Sequence, residues 1–319
     1  MLFEGSEKKA EIIINNDKMS FLNDFSQSFW EEMVAACHAK ILSSISNQYC
    51  TAYLLSESSL FVWHDRILIL TCGTTRLVKS VEYLLSKINK EYVEQVIYQR
   101  KNEYFAHQQL SSFGDDIKLL SQYIAGKAFR YGPLDAHHNY IFHQDNDYQG
   151  KHSDKTYELL AYQIGKDASL HLTTPGLTTK QIREYLHLEA LLPEFEFDDF
   201  VFDPYGYSVN AINADKYLTI HITPQLESSY VSFEANINLF ELLPTIINVL
   251  QPNTFDILTF NEYEHDVLID KVPNEYVCQT YVEQQLANSY LVNFNTYILP
   301  ADDKTAATAI DILGENNAL

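Results

Sequence analysis

The chain has 319 residues, 46% of them hydrophobic, with 22 Tyr and 18 Phe. That is enough for a large core, as one domain or two fused halves, and it excludes a disordered chain. A formal net charge of -21 argues against nucleic acid and anionic membranes as partners, and suits cations such as polyamines and sulfonium compounds as well as simple solubility. The four cysteines, Cys37, Cys50, Cys72 and Cys278, show no C-x-x-C pair and no dense disulfide framework. No apolar signal core or run of about 18 apolar residues is present, so a cytoplasmic protein is expected, with no metal site.

Along the chain, Trp30, Met33, Val34, Cys37 and Ile41 recur at helical spacing and predict a helix over Phe29 to Ile45. Strand-like runs follow at Ala52–Leu55, Ser59–Trp63 and Arg66–Thr71. A second helix is expected over Thr75 to Ile88, with Leu77, Val78, Val81, Leu84 and Leu85 on one face. The polar segment Asp145 to Lys155 reads as a central connection. Thr179–Leu191 and Leu239–Leu250 read as helices, and Tyr217–Thr223 and Ser229–Ile237 as strands. The tail from Ala301 is small and polar. In each half the order is mostly strands, a helix, then strands. That predicts an α+β design with antiparallel sheets and helices outside. It argues against a nucleotide-binding βαβ fold, and no G-x-G-x-x-G or Walker loop is present.

Four segments stand out: LFEGSEK at Leu2–Lys8, LLSESSLFVW at Leu54–Trp63, TCGTT at Thr71–Thr75, and FDPYGYSVN with TIHITP at Phe202–Asn210 and Thr219–Pro224. Singly, each is ordinary. In this order and spacing they resemble the eukaryotic-type S-adenosylmethionine decarboxylases, from Phe3 to about Glu234. The resemblance implies a four-layer αββα sandwich of two antiparallel sheets flanked by helices. It implies one domain over 1–319, cut into chains 1–57 and 58–319. Two related halves, about 1–150 and 155–300, fit the coarse pattern.

The chemistry is coherent. Decarboxylation leaves negative charge on the substrate α-carbon, which an imine to a conjugated carbonyl can delocalise. The resemblance implies a pyruvoyl cofactor made from Ser58, whose hydroxyl attacks the carbonyl of Glu57. That attack needs oxyanion donors and a strained peptide. By the same resemblance, His221 is the processing base, Ser208 serves processing, Cys72 is the proton donor in turnover, and Glu7 is an active-site carboxylate. A thiol suits proton donation because its ordinary pKa lies near the working pH. Phe3 and Phe202 match the rings that sandwich adenine, with lesser binding roles for Glu4 and Glu57.

Two positions depart from the family pattern. Gln225 stands where a glutamate binds the ribose hydroxyls, with Glu227 nearby. An amide offers one acceptor oxygen where a carboxylate offers two, at a cost of roughly 1–3 kcal/mol. Leu70 replaces a lysine that links a diamine pocket to the active site. The matching pocket residues are Glu11, Asp154, Thr156, Glu158 and Glu234, where putrescine is expected to bind. The leading reading is a decarboxylase of S-adenosylmethionine supplying aminopropyl groups for spermidine and spermine. Gln225 motivates an alternative, a pyruvoyl decarboxylase of another amino acid. A non-catalytic activating subunit is the second alternative, although such a chain need not keep Ser58, Cys72 and His221. The resemblance leaves monomer and homodimer open.

Overall fold

The structure is a computed structural model that describes residues 7–224 and 229–300. Two eight-stranded antiparallel sheets stack face to face. The first contains β1 (Lys8–Ile14), β2 (Ile41–Ser46), β3 (Cys50–Leu55), β4 (Ser58–Trp63), β5 (Arg66–Thr71), β6 (Val93–Lys101), β7 (Gly126–Tyr131) and β8 (Asn139–Gln144). The second contains β9 (Thr156–Tyr162), β10 (Glu196–Val201), β11 (Tyr207–Asn213), β12 (Lys216–Thr223), β13 (Tyr230–Ala235), β14 (Thr254–Phe260), β15 (Val277–Gln285) and β16 (Leu291–Ile298). The strand orders are β2-β3-β4-β5-β1-β6-β8-β7 and β10-β11-β12-β13-β9-β14-β16-β15. The second sheet thus repeats the connectivity of the first, and the polar segment 145–155 joins them.

Alternation along each strand separates two apolar layers from a polar interior. In β1, Ala10, Ile12 and Ile14 join the core beneath helices Gln27–Ala36 and Val78–Lys87. In β13, Val231, Phe233 and Ala235 pack beneath helices Lys166–Leu172 and Leu243–Leu250. The intervening residues Lys9, Glu11, Ser232 and Glu234 therefore point between the sheets. Apolar plugs close this space on either side. One sets Phe61 and Trp63 of β4 against Tyr217 of β12, with ring centroids 4.8 and 5.2 Å apart. The other joins Ile97, Ile141, Leu258 and Phe294.

The four layers match the expected αββα sandwich. Local boundaries differ from the periodicity reading. The first long helix ends at Ala36, because His38 takes a left-handed φ of 71°. Ile41 then opens β2, whose alternating burial belongs to a sheet edge. Residues 179–191 form two helices, Thr179–Tyr185 and Leu188–Leu191, broken at His187 with φ 56°.

Candidate active site

The β3–β4 hairpin turns through Ser56 and Glu57, with Leu55 paired to Ser58. Two-residue hairpin turns usually place a positive φ at a central residue. Here Ser58 takes it instead, at φ 143°. That region is essentially reserved for glycine and costs about 1–3 kcal/mol in any other residue. The distortion has a chemical consequence. Consecutive strand residues normally face opposite sides of a sheet, yet the hydroxyls of both Ser58 and Ser59 reach His221 Nε2, at 2.9 and 3.2 Å.

His221 comes from β12, facing Ser208 of β11 directly across the ladder. Its Nδ1 lies 2.8 Å from Ser208 Oγ. Burial pushes its pKa down to about 3, so the ring is neutral at working pH. With the proton on Nδ1, Nε2 offers a lone pair to Ser58. The opposite tautomer would leave nothing to accept the Ser58 proton.

The Glu57 carbonyl oxygen accepts from Cys72 N–H at 2.9 Å and from the Cys72 thiol at 3.2 Å. Two donors thus already aim at the oxygen that would carry charge after attack by Ser58. The Thr71–Thr75 turn fixes them. Gly73 takes a left-handed φ of 63°, Thr75 Oγ1 donates to Cys72 O at 3.0 Å, and Lys8 Nζ donates to Gly73 O at 2.9 Å. Burial, then the carboxylates of Glu57 and Glu7, push the Cys72 thiol well above its ordinary pKa. The thiol therefore holds its proton, rather than titrating near working pH as its ordinary value suggests.

Glu7 is buried, and desolvation raises its carboxyl to about 7 against a lowering hydrogen bond from Ser232. Its ionisation therefore opposes folding. This contribution is neutral below about pH 4.5 and grows unfavourable as pH rises to about 7. Glu7→Gln is expected to remove that part of the slope when urea midpoints are compared between pH 4.5 and 8.

The five residues expected at a diamine site do lie between the sheets, but two cations of the chain stand among them. Lys9 Nζ is 2.6 Å from Glu158 and 3.1 Å from Glu234, all three buried. Gln99 Nε2 donates to Glu158 at 2.6 Å and Tyr217 OH to Glu234 at 2.9 Å. Arg66 bridges Glu11, at 3.0 Å, and Asp154, which also accepts from Tyr290 OH. Thr156 opens β9 beside this cluster, opposite Phe260.

Phe202 follows β10. Its N–H donates to Gly206 O at 2.9 Å, and its ring lies edge-on to Phe200 at 4.9 Å. A side chain on Gly206 (φ 148°) would meet Phe202 Cβ at 3.3 Å. Phe3, Glu4, Gln225 and Glu227 lie outside the described residues.

Sequence reading missed Thr219, Asn210, Lys9 and Arg66. The first two carried a usable signal, since Thr219 and Asn210 sit two residues from His221 and Ser208 and so share their face. Among the described residues, no helix is long and apolar enough to cross a membrane.

The interior Ser–His pair, the distorted serine and the oriented carbonyl meet inside an αββα sandwich, the fold class of a known group of decarboxylases. The adenosylmethionine decarboxylase family model matches residues 1–298. The chain is 32% identical over 285 residues to the S-adenosylmethionine decarboxylase proenzyme of Trypanosoma cruzi, covering 83% of this chain and 77% of that protein. The Onchocerca volvulus proenzyme is also 32% identical, over 83% of this chain and 78% of its own length. The crystal structure of a Trypanosoma brucei AdoMetDC monomer superposes with a TM-score of 0.60 at 25% identity, covering 76% of this chain and 99% of that one. The chain belongs to the adenosylmethionine decarboxylase family, whose members are pyruvoyl-dependent proenzymes. Its activity is that of the family, decarboxylation of S-adenosylmethionine.

Proposed function

We propose that the chain cuts itself between Glu57 and Ser58, converts Ser58 to the pyruvoyl group, and uses it on S-adenosylmethionine. The observation that carries this reading is Ser58 itself. Its backbone is strained at the scissile bond, and its hydroxyl lies 2.9 Å from a neutral histidine.

Ser58 Oγ attacks the Glu57 carbonyl carbon while His221 Nε2 takes the hydroxyl proton. Cys72 N–H and its thiol hold the developing oxyanion. The C–N bond then breaks, the nitrogen takes a proton back from His221, and an ester replaces the amide. Rotation about the freed backbone relieves the strain at Ser58. His221 next removes the Ser58 α-proton, and the Glu57 carboxylate leaves. The dehydroalanine at 58 tautomerises to an imine, which one water hydrolyses with release of ammonia. The products are 1–57 and a 58–319 chain beginning with the pyruvoyl group.

The site fits that group, since position 58 is buried between the sheets, with the neutral His221 ring on one side and the Cys72 thiol at the adjoining Glu57 carbonyl. The pyruvoyl carbonyl supplies an electron sink for the carboxylate's bonding pair. Cys72 then has the remaining task, delivery of a proton to the substrate α-carbon from a thiol that stays protonated. Phe202 offers a face for the adenine. Gln225 leaves the substrate's ribose with one acceptor fewer.

Intact mass spectrometry tests this directly. Fragments 1–57 and 58–319, the latter with a blocked N-terminus, are expected. A permanently intact chain would sink the reading. Cys72→Ala separates the two stages. It keeps the backbone N–H on the Glu57 carbonyl, so cleavage should slow by less than about tenfold. Decarboxylation by whatever enzyme is cut should fall by about 10² to 10⁴, through loss of the proton donor. Equal losses in both stages would count against this division of labour. Carbon dioxide release from S-adenosylmethionine, compared with that from ornithine and arginine, tests the substrate against the Gln225 substitution. Monomeric and homodimeric states are distinguished by sedimentation.

A further inference from the structure

His221 Nε2 has three hydroxyls within reach: Ser58 and Thr219 at 2.9 Å and Ser59 at 3.2 Å. One nitrogen lone pair can take one proton. Ser58 and Ser59 carry the same hydroxyl, and each follows a carbonyl it could attack, that of Glu57 for Ser58 and that of Ser58 for Ser59. Something must choose between them.

We propose that Asn210 makes that choice, a positioning role that rests on the self-processing reading above. Its Oδ1 accepts from Ser59 Oγ at 2.6 Å and from Thr219 Oγ1 at 3.0 Å. A carbonyl oxygen has two lone pairs, and these two hydroxyls fill them. Thr219 has a further acceptor in Val209 O at 3.1 Å. Among the described residues, Ser58 Oγ bonds to His221 alone. Its proton is therefore the one left for Nε2. The other end of the amide supports this assignment. Asn210 Nδ2 is buried with no partner among the described residues. The hydrogen bonds of this side chain are thus made by its oxygen. The oxygen is the part of the side chain with a task.

Asn210 thus acts through Ser59 and never touches the reacting atoms. Without it, Ser59 and Thr219 turn their protons toward Nε2 and compete with Ser58. Attack by Ser59 on the Ser58 carbonyl would also open a miscut between residues 58 and 59.

The test follows cleavage of freshly translated chains by intact mass. Asn210→Ala is expected to slow formation of the 58–319 fragment by about tenfold, the worth of one competing hydrogen bond. The double variant Asn210→Ala/Ser59→Ala is expected to recover most of that rate, which a merely structural role for Asn210 would not allow. Asn210→Asp keeps the acceptor oxygen and is expected to cleave within about threefold of wild type. It also serves if the alanine variant fails to fold. Wild-type rates in Asn210→Ala, no recovery in the double variant, or loss of cleavage in Asn210→Asp would each overturn the proposal. A wild-type chain that never cleaves would instead remove the self-processing reading beneath it.

Discussion

His221→Ala is expected to slow self-cleavage by about 10² to 10⁴, the usual worth of a positioned general base. The alanine chain should run intact on a gel under conditions where wild type is fully cut. The expectation rests on geometry. Nε2 is 2.9 Å from the Ser58 hydroxyl, and Ser208 Oγ, 2.8 Å from Nδ1, can accept the Nδ1 proton in the tautomer that leaves Nε2 free. It also rests on charge. Burial holds the ring pKa down to about 3, so the base is in its active form throughout the physiological range. Wild-type cleavage rate should therefore stay flat between pH 5 and 8 as far as this group decides it. A rate that falls with an ordinary histidine titration near pH 6.5 would show that His221 is not the base or is not buried. The same shift has a stability consequence of fixed sign. The unfolded chain binds this proton near pH 6.5 and the folded chain only near pH 3, so acid favours unfolding. The contribution is complete above about pH 6.5 and is lost progressively as pH falls toward 3. His221→Ala should show a shallower loss of stability in that window.

Sequence patterns singled out Ser58 and His221 but not their meeting. Trp30, Met33 and Val34 announce a helix because one face of it is buried, and the structure places all three in the core. Ile41 continues that spacing by coincidence, since it lies on the first residue of an edge strand, where period two replaces 3.6. Ser58 and His221 are 163 residues apart, and only the stacking of two sheets brings them together. The positive φ at Ser58 is likewise invisible in SES, because serine has no preference that would announce it. The carboxylates Glu11, Glu158 and Glu234 are legible as polar positions in apolar strands. Their cations were not, because Lys9 and Arg66 read as ordinary charges at the ends of strands. Only cross-strand register shows that they point inward.

That register gives the second expectation, which concerns position 70. The family resemblance implies a lysine at the position of Leu70, and Lys9 is the residue directly opposite Leu70 on the neighbouring strand. The positive charge the resemblance implies for β5 thus stands one strand away on β1. There it lies between Glu158 and Glu234, whose side chains are each 1% exposed. Burial alone would lower the Lys9 pKa, but these two carboxylates outweigh it and hold the ammonium charged. Arg66 does the same for Glu11 and Asp154. We therefore expect decarboxylation by the wild-type enzyme to be flat in a putrescine titration, since the charge a diamine would bring is already covalently in place. Lys9→Met should leave Glu158 and Glu234 buried without their cation and cost about 3–5 kcal/mol, as breaking a buried pair from one side usually does. Urea unfolding reads that loss directly. Adding putrescine to Lys9→Met should recover part of both stability and activity, because a diammonium ion can reach the same oxygens. Glu234 is the sensitive partner. Burial raises its carboxyl to about 8 with Lys9 in place, and removing Lys9 pushes it higher still, so the folded variant keeps this proton where the unfolded chain has lost it. Lys9→Met stability should therefore improve as pH is lowered from 8 toward 6. A severalfold stimulation of wild type by putrescine, or a Lys9→Met variant as stable as wild type, would mean that the charge between the sheets is balanced in some other way.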